Sequence, residues 1–311
     1  MHLWYAGGMA DESTGTVLVF GGSGRTGQVL CREVLRRGLN LLAPVHAEVD
    51  LEHPDRVSDF VLQSGAQVVI NCAAVSGLEA CADDPLRAHL TNAAAPAAMA
   101  LACRHTGARF IHLSTDYVLD GHRAGKKDES AHCRPACWYA ESKREGELEV
   151  AEAFDESIIA RVSWVCGNPE KPSFVESTLK KALAGESLAA VSDKFSLPTD
   201  AADIARAVLA LAATDYRGII HLTSGGEPLS WHGCALQALQ TAVQSGVLPA
   251  LPTVAEQQLD KVPFFREKRP RHTAMDNTRL LSLGIVMPTA AETLARVARR
   301  YLLSLTENAA E

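Results

Sequence analysis

Three side chains that could act together on a carbonyl group lie in one stretch of the sequence: Thr115, Tyr139 and Lys143. Tyr139 and Lys143 are one helical turn apart, so on a helix both would point into the same pocket. A phenol has an ordinary pKa of about 10, and a neighbouring ammonium lowers that pKa by stabilising the phenolate. Thr115 can hydrogen-bond the oxygen that Tyr139 would protonate. The set suits hydride addition to a ketone, in which negative charge develops on oxygen.

The Tyr-x-x-x-Lys spacing is weak evidence alone, because any amphipathic helix can carry it by chance. The sequence around this spacing makes the evidence stronger. The apolar run Phe110–Leu113 predicts a buried strand that ends directly before Ser114 and Thr115, and a glycine-rich turn opens the chain. We therefore predict Thr115, Tyr139 and Lys143 as catalytic residues and Ser114 as a hydroxyl that supports the strand end.

The glycine-rich turn lies between a predicted strand, Thr16–Phe20, and a predicted helix from Gln28 to about Arg37. Gly21, Gly24 and Gly27 permit a tight turn, a close approach of the backbone to a pyrophosphate, and close packing of helix on strand. The helix N-terminus adds free N–H groups and partial positive charge. This order of elements predicts a dinucleotide site.

The choice between NADPH and NADH depends on the end of the second predicted strand, Leu39–Val45. No Asp or Glu ends it directly, where an NAD site would hold the ribose hydroxyls. Arg25 lies in the glycine-rich turn, where it could meet a 2′-phosphate, and His46 is a second candidate. A solvated surface charge is the alternative interpretation of Arg25. We expect NADPH or NADH as the cofactor, and Arg25 favours NADPH.

Strands and helices alternate along the remaining chain, which predicts an α/β fold with a Rossmann-like, doubly wound parallel sheet and a smaller C-terminal substrate lobe. Residues 1–15 are expected to be a flexible tail, residues 16–165 a dinucleotide-binding domain and residues 166–311 the lobe, with about 198–225 returning to the main domain. The predicted helices are 54–64, 85–106, 174–183, 200–213 with Asp200 as its N-cap, 231–243 and 290–303; further strands are 67–71, 158–165 and 218–223.

The composition of the chain argues against some classes of binding partner. The chain has 311 residues and a formal net charge of -7, which argues against general nucleic-acid binding. No apolar run is long enough to span a membrane, and the start of the chain does not resemble a secretory signal. Of the eight cysteines, Cys133 and Cys137 beside His132 come nearest to a metal cluster, but no second pair lies nearby, so we expect ordinary thiols, no metal and a reducing, cytoplasmic location. The sequence leaves open whether the chain forms a homodimer.

Several segments form a specific set when taken together: 69–74, 110–121 (FIHLSTDYVLDG), 139–147, 161–165, 198–203 and 269–276. They resemble the extended short-chain dehydrogenases/reductases, and within them the dTDP-4-dehydrorhamnose reductase family, over nearly the whole chain after the tail. The resemblance implies an NAD(P)H-dependent oxidoreductase that reduces a nucleotide-linked 4-keto-6-deoxysugar in dTDP-rhamnose biosynthesis. Tyr139 would be the proton donor, Lys143 its tuning partner and a ribose contact, and Thr115 the hydrogen-bond donor to the carbonyl.

The same resemblance implies two sets of binding residues. Tyr139 and Lys143 would share the cofactor site with Gly21, Ser23, Gly24, Arg25, Thr26, Gly27, Asp50, Leu51, Ala73, Ala74 and Val75. Thr115, Asp116 and Trp164 would face the sugar. The charged run 266–271 is either a solvated loop or a contact for an anionic substrate, in which case Arg269 would bind it, because Arg grips phosphate bidentately.

The chain departs from the family pattern at three places. Ala140 stands where the family usually has Gly, Cys166 replaces a usual Tyr, and Val75–Glu79 lacks the common Thr-x-Val-Asp. The substrate therefore stays open, and so does a second class of function: a noncatalytic dinucleotide-binding subunit similar to the regulatory β subunit of methionine adenosyltransferase. An epimerase or dehydratase is a third reading, since Asp116 could supply the extra acid that dehydratases need.

Overall fold

The structure, a computed structural model, describes residues 15–308, so the predicted tail lies outside the described residues apart from Gly15. The strands are β1 (Thr16–Phe20), β2 (Asn40–Leu42), β3 (Val68–Asn71), β4 (Arg109–Thr115), β5 (Ile158–Val162), β6 (Val165–Cys166), β7 (Leu188–Val191), β8 (Phe195–Ser196), β9 (Thr199–Asp200), β10 (Gly218–Leu222), β11 (Leu229–Ser230) and β12 (Val254–Gln257).

The α-helices are α1 (Arg25–Arg36), α2 (Pro54–Gln63), α3 (Leu78–Asp83), α4 (Pro85–His89), α5 (Ala95–Thr106), α6 (Trp138–Ala153), α7 (Phe174–Leu183), α8 (Ala201–Ala212), α9 (Trp231–Gln244), α10 (Thr278–Ser282) and α11 (Ala290–Asn308). A π-helical segment, Leu90–Ala94, joins α4 to α5, and short 3₁₀ turns occupy Asp116–Val118 and Leu259–Lys261. None of the helices within residues 15–308 has the length and apolar character needed to cross a bilayer.

Six strands form one parallel sheet in the order β10-β5-β4-β3-β1-β2. Side chains alternate between the two faces of a strand, so an apolar run such as β1 buries residues on both. Val17 and Val19 join one core with residues of α1 and α8, while Leu18 and Phe20 join a second core with residues of α2 and α5. Helices thus cover both faces, which confirms the predicted Rossmann-like, doubly wound parallel sheet.

A third apolar cluster lies in the C-terminal part of the chain. It joins α7, α9 and α11 to β7 and β12, with Leu179, Leu239, Leu294 and Val297 fully buried or nearly so. β7 and β12 pair with each other and not with the main sheet. The chain returns to the main sheet through α8 and β10, because β10 pairs with β5.

Three predicted elements are wrong in their extent. The single helix predicted over 85–106 is interrupted by the π-helical segment Leu90–Ala94. The strand predicted over 158–165 ends at Val162, because Trp164 has a φ of 32° and turns the backbone, and Val165–Cys166 then pairs with β9 instead. The second strand is also shorter than predicted, Asn40–Leu42. The predicted bounds of β1 and α7 are confirmed, as is Asp200 as the N-cap of α8.

Candidate active site

A cleft of about 540 Å³ opens at the carboxyl ends of β1, β3 and β4. In an open parallel sheet this edge is where ligands bind. Most of the predicted site residues line the cleft: Gly21, Ser23, Gly24, Arg25, Thr26, Leu51, Ala73, Ala74, Thr115, Asp116, Tyr139, Lys143 and Trp164. The fold therefore brings the glycine-rich turn and the three predicted catalytic side chains to one opening.

The glycine-rich turn is shaped by two close backbone contacts. Gly21 has a φ of +77°, and a Cβ there would lie 2.6 Å from the backbone N of Ala73. A Cβ on Gly27 would collide with the carbonyl oxygen of Gly21, so α1 can pack on the turn only without a side chain at that position. Gly24 then starts α1 without any side-chain cap, which leaves the first N–H groups of the helix directed at the cleft. This cradle fits a pyrophosphate.

Arg25 begins α1 and crosses to the loop after β6. Its Nε donates to the carbonyl of Lys171 at 2.9 Å, and its Nη2 donates to the carbonyl of Pro172 at 3.1 Å. A guanidinium has five N–H donors, so three stay available for a further contact. The proposed contact of Arg25 with a 2′-phosphate stays a prediction, as does the preference for NADPH.

Four predicted binding residues do not lie on the wall of this cleft: Gly27, Asp50, Val75 and Arg269. Gly27 packs behind the turn. Asp50 accepts a hydrogen bond from the backbone N of Glu52 at 3.0 Å. Arg269 stacks on the ring of Phe265, with 3.6 Å to the ring centre, and pairs with Glu79 at 3.0 Å. Their binding roles stay predictions.

The charged run 266–271 is not simply solvated. Besides the pair of Arg269 with Glu79, Arg266 pairs with Asp83 at 2.8 Å, and Arg271 pairs with Asp193 and Asp260. Arg266 and Arg269 thereby tie the C-terminal part of the chain to helix α3, which follows the cleft residues Ala73 and Ala74.

Helix α6 positions Tyr139 and Lys143. Its buried face includes Ala140, Lys143, Glu147 and Val150, a spacing of three or four residues that follows the helical period. Tyr139 stands one turn before Lys143 at the edge of this face, half-buried in the cleft wall. Its ring meets that of Tyr117 edge-on, with 5.9 Å between the ring centres. Thr115, the last residue of β4, faces the same space.

The Tyr139 phenol keeps its proton in this setting. Burial raises the pKa of Tyr139 above its ordinary value of 10, and a hydrogen bond with the side chain of Thr115 acts in the opposite direction. Asp116 adds to the increase because its negative charge disfavours a phenolate nearby. The group available here is therefore an acid that can donate a proton, with Thr115 as the side chain that eases its release.

The side-chain nitrogen of Lys143 is directed into the protein. Its Nζ lies 2.7 Å from the carbonyl oxygen of Leu113, to which it donates, and 3.1 Å from Nε2 of His112. Burial lowers the pKa of Lys143 to about 8, while the negative charge of Glu147 and the thiol of Cys72 act to raise it. The sequence predicted that Lys143 lowers the pKa of Tyr139, but burial raises that pKa and the hydrogen bonds of Lys143 run to β4, so the predicted net lowering is wrong.

Asp116 is buried, and two neighbouring hydroxyl groups hold its carboxyl group. Its Oδ1 lies 3.3 Å from the hydroxyl of Thr115 and its Oδ2 accepts from Ser163 at 3.0 Å. Burial raises the pKa of Asp116, while the positive charge of Lys194 and the hydrogen bond from Ser163 lower it. This carboxyl group therefore lies beside Thr115 in a fixed orientation.

A buried ion pair supports the floor of the site. Glu147 receives two hydrogen bonds from Arg161, each at 2.8 Å, and both side chains are at most 1% exposed. Ser114 donates to the same carboxylate at 2.6 Å, so it supports the end of β4, as predicted. Helix α6 is thereby fixed to β4 and β5 at the level of Lys143.

Trp164 closes the far end of the cleft with a strained backbone. Its φ of 32° is rare for a residue with a large side chain. Its ring stacks on Trp231, with 5.5 Å between ring centres, and also contacts Phe174 at 5.6 Å. Residues held in such conformations cluster at functional sites, because the surrounding packing must maintain them.

Asn92 is a supporting residue that we did not predict. Its amide makes both hydrogen bonds to the backbone of Val75, at 2.9 and 3.0 Å, and donates to Ser142 at 3.0 Å. It lies in the π-helical segment, a feature that often marks functional sites. The sequence signal was Pro96, which cannot continue an α-helix without losing a hydrogen bond.

Within residues 15–308, no group of three or more His, Cys, Asp or Glu side chains is arranged to hold a metal ion. All eight cysteines fall in this range and are free thiols. Burial raises the pKa of several of them, including Cys103 and Cys166. These thiols therefore behave as buried apolar groups.

Comparison with known proteins starts with a family model. Residues 15–303 match the model described as the RmlD substrate binding domain. A protein of Burkholderia thailandensis named dTDP-4-dehydrorhamnose reductase is 31% identical over 284 residues, which cover 88% of this chain and 94% of that protein.

Solved structures show the same architecture. The crystal structure of a dTDP-4-dehydrorhamnose reductase from Clostridium acetobutylicum superposes with a TM-score of 0.83 at 25% identity, covering 94% of this chain and 99% of the other. The dTDP-4-dehydrorhamnose reductase of Bacillus anthracis, solved in complex with NADP, superposes with a TM-score of 0.83 at 24% identity, covering 93% and 99%. The second likeness bears on the fold alone.

Proposed function

Since the chain belongs to the RmlD substrate binding domain family, a branch of the extended short-chain dehydrogenases/reductases, we propose that it is an NAD(P)H-dependent reductase of a nucleotide-linked 4-keto-6-deoxysugar. The name of the Burkholderia relative, dTDP-4-dehydrorhamnose reductase, supports dTDP-4-dehydrorhamnose as the substrate and dTDP-rhamnose biosynthesis as the pathway. The reductase name of that relative and the glycine-rich turn, whose shape fits a pyrophosphate, support NADPH or NADH as the cofactor.

One observation carries this proposal: Thr115, Tyr139 and Lys143 share a single cleft with the glycine-rich turn. The residues present fit a dinucleotide. The Gly21–Gly27 turn offers a cradle that a Cβ would fill, and the small side chains of Ala73 and Ala74 line the facing wall. When bound there, a reduced nicotinamide supplies the hydride.

The side chains of the protein then donate the proton and stabilise the negative charge that develops on the carbonyl oxygen. Thr115 hydrogen-bonds the carbonyl oxygen of the sugar and orients it toward Tyr139. Tyr139, which burial keeps protonated, donates its proton to that oxygen as negative charge develops. When Lys143 carries a positive charge, it stabilises the phenolate that remains after Tyr139 has donated its proton. Trp164 and Asp116 bound the space in which the sugar lies.

The eight free thiols support the cytoplasmic location predicted from the sequence, because a reducing compartment keeps thiols from pairing. The oligomeric state stays a prediction.

The decisive experiment measures nicotinamide oxidation by the purified chain with dTDP-4-dehydrorhamnose and NADPH, followed at the nicotinamide absorbance band. Tyr139→Phe should lower kcat by at least about 10²-fold, the usual contribution of a positioned acid, and should leave NADPH binding largely intact. Tyr301→Phe serves as the control, because Tyr301 is buried in α11, which contributes no residue to the cleft wall.

Three outcomes would contradict the proposal. Unchanged turnover in Tyr139→Phe would remove Tyr139 from the mechanism. No turnover by the wild-type chain across a panel of nucleotide-linked 4-keto sugars, together with co-purification with a larger enzyme, would favour the noncatalytic subunit. Tight retention of the cofactor through purification would instead favour an epimerase or dehydratase, since such enzymes recycle it.

A further inference from the structure

Three buried polar side chains form a continuous chain behind the cleft: Asn71, His112 and Lys143. Asn71 ends β3, His112 lies within β4, and both are fully buried, while Lys143 is 1% exposed. Nδ2 of Asn71 lies 3.1 Å from Nδ1 of His112, and Nε2 of the same imidazole lies 3.1 Å from Nζ of Lys143. The proposed mechanism uses Lys143 but gives no role to the other two.

The orientation of the Asn71 amide sets the direction of every hydrogen bond in this chain. Its Oδ1 accepts from the backbone N–H of Ala73 at 3.0 Å, so its NH₂ group faces His112. Nδ1 of His112 must then be the acceptor. A neutral imidazole has one acceptor nitrogen and one donor nitrogen, so Nε2 carries the hydrogen and directs it at Lys143.

Lys143 can accept that hydrogen only as a neutral amine, because an ammonium has donors and no acceptor. The neutral amine still donates one of its own N–H bonds to the carbonyl of Leu113, at 2.7 Å. The arrangement in the structure therefore corresponds to an uncharged Lys143.

A charged Lys143 requires the opposite polarity. Its Nζ then donates to Nε2, the hydrogen of His112 moves to Nδ1, and Asn71 must turn its Oδ1 toward that hydrogen. The amide then no longer accepts from Ala73, whose N–H becomes free in the cleft wall beside Gly21. The two arrangements differ by one proton on Lys143, and the imidazole is neutral in both.

We propose that His112 is a positioning residue which, together with Asn71, couples the charge of Lys143 to the backbone N–H of Ala73 in the cofactor-facing wall. The role in turnover rests on the proposed reductase function, because it acts through Lys143. By reciprocity, a ligand that engages the N–H of Ala73 favours the charged amine.

The groups around the hydrogen-bonded side chains of Asn71, His112 and Lys143 are consistent with two accessible charge states of Lys143. Burial, followed by the positive charge of Lys143, holds the pKa of His112 well below 6.5, so the ring stays neutral. Burial lowers the pKa of Lys143 to about 8, while Glu147 on the same helix and Cys72 after β3 raise it. From β4, the ring of Phe110 stacks beside His112 and adds no charge.

The first test is independent of turnover. Histidine labelled with ¹⁵N in the wild-type chain is followed by long-range ¹H–¹⁵N correlation between pH 6 and 10, and the His112 signals are identified by their loss in His112→Gln. We expect hydrogen on Nδ1 at low pH and on Nε2 at high pH, with a midpoint near the Lys143 pKa of about 8. One unchanged tautomer over the whole range, or an imidazolium at low pH, would overturn the proposal.

The second test compares the pH dependence of kcat/KM in three variants. His112→Phe removes the acceptor for Lys143, so the alkaline limb should move by about one pH unit to lower pH, because a hydrogen bond to a charged group is worth about one pKa unit or more. His112→Gln keeps an acceptor and should restore most of the shift. His105→Phe, at an exposed position on α5, should change nothing.

An unshifted alkaline limb in a folded His112→Phe variant would overturn the coupling. If that variant fails to fold, the tautomer measurement on the wild-type chain decides. Absence of wild-type turnover would reject the proposed function, while the tautomer measurement would still decide whether the chain of hydrogen bonds exists.

Discussion

The two walls of the cleft are built in opposite ways. The glycine-loop wall, which the turn at residues 21–27 shapes, works through backbone N–H groups and through the absence of side chains on its glycines. The β4–α6 wall, formed by the end of β4 and the first turns of α6, works through polar side chains such as Ser114 and Lys143, each held by a partner distant in sequence. The first wall therefore depends on backbone conformation and the second on interactions in a poorly solvated interior.

The largest effect is expected from breaking the ion pair beneath the β4–α6 wall. Glu147→Gln leaves Arg161 charged, buried and without its carboxylate, which should lower the free energy of unfolding by about 3–5 kcal/mol. This loss of unfolding free energy can be measured by urea unfolding, monitored by circular dichroism. Glu170→Gln is the control, because Glu170 pairs with Arg32 at an exposed site and should show little change. Equal effects in the two variants would show that the buried pair does not support this wall.

The same pair predicts a pH dependence. Burial alone would raise the pKa of Glu147, but its hydrogen bonds and charge interaction with Arg161 hold that pKa below the ordinary 4.5. A carboxyl whose pKa is lower in the folded state contributes stability above pH 4.5 and loses it as pH falls through the folded pKa. Glu147→Gln should lack this part of the acid-induced loss, which unfolding curves below pH 4.5 would measure.

The glycine-loop wall is tested by two alanine substitutions with the same backbone penalty. Gly21→Ala and Gly38→Ala both place a side chain at positive φ, +77° and +71°, but only the Cβ at position 21 meets another backbone, that of Ala73. Gly38→Ala should cost about 1–2 kcal/mol of unfolding free energy, and Gly21→Ala about 2–4 kcal/mol, since a clash adds to the strain. Only Gly21→Ala should also weaken NADPH binding, measured by calorimetry. Equal losses would mean that close approach to Ala73 is not what requires the glycine.

The difference between the walls also explains what the sequence could predict. β1 and α7 follow from local apolar patterns, and the glycine spacing places the turn between β1 and α1. The convergence of Thr115, Tyr139 and Lys143 followed from strand-end and helical spacing together with the family resemblance. Apart from the resemblance, which spans nearly the whole chain, each of these signals comes from a few neighbouring residues.

The partners of those side chains could not be predicted from local spacing. Nothing in the sequence near Lys143 indicates that its Nζ faces His112 on another strand, or that Glu147 pairs with Arg161. The π-helical segment and the turn at Trp164 also depend on tertiary packing, since Asn92 reaches Val75 and Trp164 stacks on Trp231. Such contacts override local propensity.

The smallest effect concerns Trp164, where the far end of the cleft uses a positive φ without a glycine. Trp164→Ala and Trp164→Gly remove the same ring stacking, so their difference reports the backbone alone. The Gly variant should be more stable than the Ala variant by about 1 kcal/mol, because glycine tolerates the left-handed region. Thermal unfolding of the pair measures this, and equal stability would indicate that the backbone at 164 relaxes when the ring is removed.

The most direct test of the whole account is isotope transfer. NADPH carrying deuterium at C4 of the nicotinamide, prepared with the label on either face, is incubated with the chain and dTDP-4-dehydrorhamnose, and the sugar product is analysed by NMR. The account predicts deuterium at C4 of the sugar from one of the two labelled forms, and about 10²-fold slower transfer in Tyr139→Phe. A sugar product without deuterium from either form, or cofactor that stays unconsumed, would contradict hydride transfer in this cleft.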